Sequence, residues 1–161
     1  ALRSRLSIPV LGPGQAAFHV ACMLGHKFSI ITMWDEWFHL YRKVLSEYKL
    51  EARCASMRSI DTRPDLAELL AGKEEVIFQK LESEALKAIE EDKADVIVLG
   101  STTMHQSYAF LQQALPVPVI NPGLISYKLC EMFLETGLCH SKRAFPAPQQ
   151  PNDDLVLSRN N

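Results

Sequence analysis

Ala94 to Gly123 reads ADVIVLGSTTMHQSYAFLQQALPVPVINPG, in the order strand, small polar turn, helix, strand, second turn. Asp95 to Leu99 is a short apolar run rich in β-branched residues, the pattern of a strand buried on both faces. Gly100 lets the chain bend, and Ser101, Thr102 and Thr103 supply hydroxyls where a helix begins. Amide N–H groups in a first helical turn have no internal partner, so this turn can receive an anion or a carbonyl oxygen. Val117 to Ile120 is the next strand, and Asn121-Pro122-Gly123 turns into the next helix. Ligands of open parallel sheets bind just outside the carboxyl ends of the strands. The two turns are therefore expected side by side, facing one pocket.

Working outward, Lys73 to Glu91 is a clear helix, with Ile77, Leu81, Ala85, Ala88 and Ile89 in one apolar stripe. Phe28 to Thr32 reads as a strand, Glu36 to Tyr48 as a helix and Ala52 to Met57 as a weaker strand. Ser59 to Gly72 is a polar connection with a short helix over Asp65 to Leu70. Toward the amino end, Ala1 to Ser7 is a polar lead-in or the end of a helix. Ile8 to Leu11 is a strand candidate, and Gln15 to Leu24 a helix stopped by a Gly25 cap. Toward the carboxyl end come helices over Met104 to Ala114 and Leu124 to Glu135, the latter closed by Gly137. Leu138 to Phe145 reads as a last extended segment, and the chain from Pro146 as a polar tail. Alternating strands and helices predict an α/β fold of three αβα layers, with a four-stranded parallel sheet in the order 2-1-3-4. Its carboxyl ends would be Thr32, Met57, Gly100 and Asn121, which clusters Thr32, Ser101 and Asn121.

With 47% hydrophobic and 22% charged residues, the 161-residue chain is globular in composition and long enough for one good core. A formal net charge of −2 leaves no footprint for nucleic acid or an anionic membrane surface. No apolar run approaches the roughly 18 residues of a membrane span, and no signal-peptide pattern is expected ahead of the first strand. Cys22, Cys54, Cys130 and Cys139 lie singly, without metal-type spacing, so reduced thiols in the cytoplasm are expected and no metal.

Ile8-Pro9-Val10-Leu11-Gly12-Pro13-Gly14 recurs as Val117-Pro118-Val119-Ile120-Asn121-Pro122-Gly123, an offset of 109 residues. Phe18-His19 and Tyr127-Lys128 follow at matched places. Any strand, Pro-Gly turn and helix shares some of this chemistry. The sharper reading is a duplicated domain: residues 1–25 end a first copy, 26–137 form a complete second, 138–148 return toward the first, and 149–161 are tail. The first-copy counterpart of Ser101 then falls ahead of Ala1.

The LGSTTMH turn, PVPVINPG, the GQAAFHVACMLGHKFSIITMW run and the closing GLCHSKRAFPAP together resemble the aspartate/glutamate/hydantoin racemase superfamily, nearest its hydantoin and allantoin racemase branch. The resemblance runs from Ile8 to Pro148. It implies two similar α/β domains holding a small-molecule substrate in the cleft between them, with about 80 residues of the first domain missing from this stretch. It also implies two cysteines, one per domain, facing the substrate α-carbon, one removing a proton and the other returning one, with no organic or metal cofactor. A small amino-acid derivative or cyclic ureide is the expected substrate and a homo-oligomer the expected assembly, with no nucleic-acid or membrane partner.

One departure matters most. The family's second cysteine, in a turn of the type LGC-T/A, corresponds to Ser101. A thiol near pKa 8.5 can be lowered into a working base by a helix N-terminus, whereas a serine hydroxyl needs an adjacent base. His105, four residues on, is the candidate for a Ser101–His105 catalytic couple. Alternatively Ser101, Thr102 and Thr103 bind a carboxylate or imide oxygen. Thr32, Thr102, Thr103, Asn121 and Gly123 are the candidate substrate-binding residues. A thiol-poor relative (a decarboxylase or cis–trans isomerase) and a non-enzymatic binder remain open. Cys22 and Cys130 read as core, Cys54 and Cys139 lie away from strand mouths, and Trp34 or Trp37 walls the cleft or packs beneath its loop.

Overall fold

The computed structural model describes residues 2–63 and 74–149. In chain order the elements are α1 (Leu2–Arg5), α2 (Pro13–Leu24), β1 (Phe28–Thr32), α3 (Phe38–Tyr48) and β2 (Cys54–Ser59). Then follow α4 (Glu74–Glu90), β3 (Val96–Leu99), α5 (His105–Ala114), β4 (Val119–Ile120) and α6 (Pro122–Glu135). The strands form one parallel sheet ordered β2-β1-β3-β4, the order expected from the sequence. The described residues fall into two compact units, Leu11–Leu129 and the two chain ends up to Val10 and from Cys130.

Side-chain alternation along β1 and β3 builds the three layers of the larger unit. Ile31, Ile97 and Leu99 point to one face, where Leu81, Ala85 and Ala88 of α4 and Leu111 of α5 cover them. Phe28, Ile30, Val96 and Val98 point to the other, against Ala17, Phe18 and Ala21 of α2 and Tyr41 and Leu45 of α3. The Phe18 and Phe28 rings stack at 5.3 Å. In α4 the predicted stripe is the buried one, and its two alanines leave room for close approach to the sheet.

Several boundaries differ from expectation, each for a physical reason. β2 runs Cys54–Ser59 rather than Ala52–Met57, because Glu51–Arg53 winds into a 3₁₀ turn and the pairing with β1 extends to Thr32 opposite Ser59. β4 is only two residues long: prolines 116 and 118 have no N–H to give to a ladder. Ile8 to Leu11 is not a strand. Its polar groups go to side chains instead, with the Val10 amide donating to His140 Nε2 at 2.7 Å and the Val10 carbonyl accepting from Arg3 Nε at 3.0 Å. Leu138 to Phe145 is not extended throughout, since Ala144 and Phe145 turn back onto the Ser141 carbonyl. Gly25 ends α2 in extended conformation, not as a left-handed cap; a Cβ there would lie 2.6 Å from Asp95 Cβ. Gly137, with φ +68°, does close α6 by a left-handed turn, Leu138 N–H reaching the Phe133 carbonyl at 2.7 Å. The helix expected over Asp65 to Leu70 and most of the expected tail lie outside the described residues.

Charged side chains finish the amino-terminal edge of the sheet. Arg53 donates to the carbonyls of Cys22, Gly25 and His26, at the end of α2 and just beyond it, and the Asp95 carboxylate accepts from the amides of His26 and Lys27, both at 2.9 Å. At the edge strand, Arg58 pairs with Glu84, Glu91 and Asp92. Among the described residues no helix is long and apolar enough to cross a membrane.

The Lys27 and His26 amides hold the Asp95 carboxyl below the usual carboxylate range. A folded-state pKa below the unfolded value of about 3.9 contributes stability that is present above that value and lost as pH falls through the folded one. Asp95→Asn is therefore expected to be less stable than the parent in urea at about pH 7, with the gap closing below about pH 3. A gap of constant size across that range would contradict this account.

Candidate active site

β3 delivers Gly100 to the carboxyl edge, and its amide continues the ladder by donating to the Ile31 carbonyl at 2.8 Å. Ser101 is extended and caps a 3₁₀ turn over Thr102–Met104. Its Oγ accepts from the Thr103 amide at 3.2 Å and lies 2.9 Å from Thr103 Oγ1. Met104 is buried in the core, and Ser107 Oγ donates to its carbonyl at 2.8 Å, fixing the start of α5. His105 is the exposed first residue of that helix.

The second turn is built on Asn121, 7% exposed, whose Oδ1 accepts from the amides of Gly123 (3.0 Å) and Leu124 (3.2 Å). This is an N-cap for α6. A Cβ built on Gly123 would lie 3.6 Å from Thr102 Cγ2, so the two turns do sit side by side.

Beneath them is a hydroxyl pair. Thr32 is fully buried, with Oγ1 2.9 Å from the Tyr41 hydroxyl, which donates to the Gly100 carbonyl at 3.0 Å. A carbonyl only accepts, so the Tyr41 proton is committed to Gly100 and Thr32 is the donor to Tyr41. Burial raises the Tyr41 phenol above its ordinary range and keeps it neutral. A Cβ on Gly100 would fall 2.5 Å from the Tyr41 hydroxyl and 2.8 Å from Thr32 Cβ, so the residue there is glycine because two side chains occupy the space.

A cavity of about 240 Å³ opens at this point. Ser101 and Thr102 form one wall, Pro13, Gly14 and Phe18 of α2 another, and Tyr41 and Pro122 close it. Of the expected residues, Ser101 and Thr102 line the cavity, Thr103 holds Ser101, and Asn121 and Gly123 shape the turn carrying Pro122. Thr32 lies in the layer below, reaching the site through Tyr41. Ser101 Oγ meets Thr103 and not the His105 imidazole.

Sequence reasoning did not single out Tyr41 or the start of α2. Tyr41 shares its helix face with the core residue Leu45, and nothing in the pattern separates a core tyrosine from a site tyrosine. The internal repeat did hold a signal, because it matches Gly12-Pro13-Gly14 with Asn121-Pro122-Gly123, and Pro13 and Pro122 line the same cavity.

None of the four cysteines lines this cavity. Cys54 lies in β2, where burial pushes its thiol up to about 11. Burial also raises Cys22, against the lowering field of Arg53. Trp34 meets Trp37 edge-on at 6.4 Å and carries the Arg63 guanidinium over its ring at 5.6 Å. Among the described residues no group of three or more His, Cys, Asp or Glu side chains is placed to hold a metal ion.

A parallel α/β sheet with its hydroxyl-bearing turns gathered at the strand carboxyl ends defines the class: an open-sheet α/β domain, whose candidate site lies at the edge where such sheets bind their ligands. The chain belongs to the Asp/Glu/Hydantoin racemase family, which matches residues 1–130. It is 36% identical over 138 residues to a hydantoin racemase of Rhizobium meliloti, covering 83% of this chain and 54% of that protein. Among solved structures it is similar to allantoin racemase from Pseudomonas fluorescens, with a TM-score of 0.84 and 30% identity over 94% of this chain and 63% of that one. Allantoin racemase from Klebsiella pneumoniae is similar too, with a TM-score of 0.79 and 30% identity over 90% of this chain and 60% of that one. The chain thus spans about half the length of the curated relatives it matches.

Gly100→Ala is expected to lower stability by about 1–3 kcal/mol, the usual cost of forcing atoms into a packed site. Urea denaturation measures this, and an unchanged midpoint would show that the site has room for a methyl group.

Proposed function

We propose that this chain belongs to a cofactor-independent racemase acting on the α-carbon of a small cyclic ureide of the hydantoin or allantoin kind, or of a related amino-acid derivative. The observation that carries the reading is the turn at the end of β3, where Ser101 and Thr102 line a small cavity beside the Asn121 turn, in a chain of this family.

Removing a proton next to a carbonyl moves negative charge onto the carbonyl oxygen, so donors fixed at that oxygen stabilise the transition state. Ser101 and Thr102 are assigned to hold it, with Thr103 fixing the Ser101 rotamer and Asn121 and Gly123 setting the neighbouring wall. Ser101 is not given the part of the thiol base, because an unassisted hydroxyl is too poor a base and its observed partner is another hydroxyl. His105, exposed at the start of α5 and outside the cavity lining, is the candidate to carry the proton on this face. The four unpaired cysteines favour a reducing, cytoplasmic setting.

The test is α-proton exchange. The intact protein is incubated with single enantiomers of substituted hydantoins and allantoin in D₂O, and the α-proton signal is followed with optical rotation. Loss of both signals together is expected. Ser101→Ala should lower kcat/KM about tenfold, mostly through kcat because the charged oxygen is held in the transition state, and His105→Asn should lower kcat as well. Ligand-induced stabilisation with no exchange on any substrate would replace the enzyme with a binder.

A further inference from the structure

We propose that Tyr41 is a positioning residue for the Ser101 turn: its hydroxyl, backed by Thr32, holds the Gly100 carbonyl and thereby sets where Ser101 and Thr102 present their hydroxyls. The proposal rests on the oxygen-binding role given to that turn above.

Gly100 is the last point at which the sheet controls the chain. Its amide is tied to Ile31 of β1 at 2.8 Å. Its carbonyl has run past the ladder and takes the Tyr41 hydroxyl, at 3.0 Å, from a helix on the opposite side of the connection. The peptide that follows is planar, so the direction of the Gly100 carbonyl also fixes the direction of the Ser101 amide. One hydrogen bond therefore orients the plane from which Ser101 departs. Glycine alone would leave that plane free to rotate. Tyr41 removes the freedom while its hydroxyl occupies the space a Cβ would need.

The hydroxyl is itself held. Thr32 gives its proton to the Tyr41 oxygen at 2.9 Å, and Thr32 is anchored in the fully buried β1. The tyrosine ring packs in the core formed with Phe18, Phe28 and Leu45, so the side chain has little freedom to swing away. The chain of contacts runs from a rigid strand through two hydroxyls to the first residue of a loop that carries the site. This is how a supporting layer maintains a productive geometry. The same tyrosine lines the cavity, so its loss would be felt where substrate binds.

Tyr41→Phe tests the proposal, since phenylalanine keeps the packed ring and removes only the hydroxyl. Amide hydrogen exchange followed by NMR is expected to quicken about tenfold or more across Gly100–Thr103 and to change little in β1 and β3. Unchanged protection of the turn, or a uniform rise across the whole sheet, would overturn it. The catalytic consequence is read in a double-mutant cycle. Tyr41→Phe should lower kcat/KM about tenfold in the parent and less than about twofold in the Ser101→Ala background, because the two act through one element. Equal losses in both backgrounds would make Tyr41 merely structural. A parent without α-proton exchange on any substrate would defeat the racemase reading, and amide exchange would still decide the positioning claim.

Discussion

β1 and β3 lie side by side with Ile31 opposite Leu99, and none of their residues is more than 1% exposed. A strand buried on both faces has to satisfy its backbone entirely within the sheet and its side chains entirely within two helix layers. That double demand fixes the rest. It sets which residues of α2, α3, α4 and α5 face inward, and it sets the level at which each connection leaves the sheet. The level is the same for neighbouring strands because the register is shared. Gly100 and Asn121 therefore emerge together, and their turns touch.

The two ends of this buried pair meet the same problem by different means. At the amino-terminal edge the loose backbone groups are met by charge, through Arg53 on carbonyls and Asp95 on amides. Charge is tolerable there because the edge is exposed. At the carboxyl edge they are met by neutral hydroxyls, Tyr41 on Gly100 and Thr32 on Tyr41. A neutral pair avoids the cost of desolvating an ion beside a small cavity. Among the described residues no buried side-chain nitrogen or oxygen lacks a hydrogen-bond partner.

Much of this was legible in the residues. The β-branched run before Gly100 and the stripe of α4 each carry one unambiguous period, and together they require a parallel sheet with helices on both sides. The juxtaposition of the Ser101 and Asn121 turns followed from topology. What did not follow is instructive. β2 is an edge strand whose residues are all half-buried, so CASMRS shows no alternation by which to place its ends. Ile8 to Leu11 has the composition of a strand, but pairing depends on a neighbour, which a local pattern cannot reveal. Thr32 reads as a substrate-binding residue because it ends a strand beside Ser101 and Asn121. Whether such a hydroxyl faces a ligand or a tyrosine below depends on a helix nine residues further on.

The Arg58 cluster has a consequence for how the molecule behaves in a crowded solution. Among the described residues β2 pairs with β1 on one side only, which leaves a row of backbone groups without a strand partner on the other. Such a row invites a strand from another chain, and the invitation is strongest when the strand is flat and apolar. Here the guanidinium of the fifth residue is turned onto α4 and the loop after it, with Glu84, Glu91 and Asp92 around it. Adding a foreign strand would press those charges further from water without supplying a new partner. The ion cluster thus works against edge-to-edge pairing from beneath the outer strand rather than from its border.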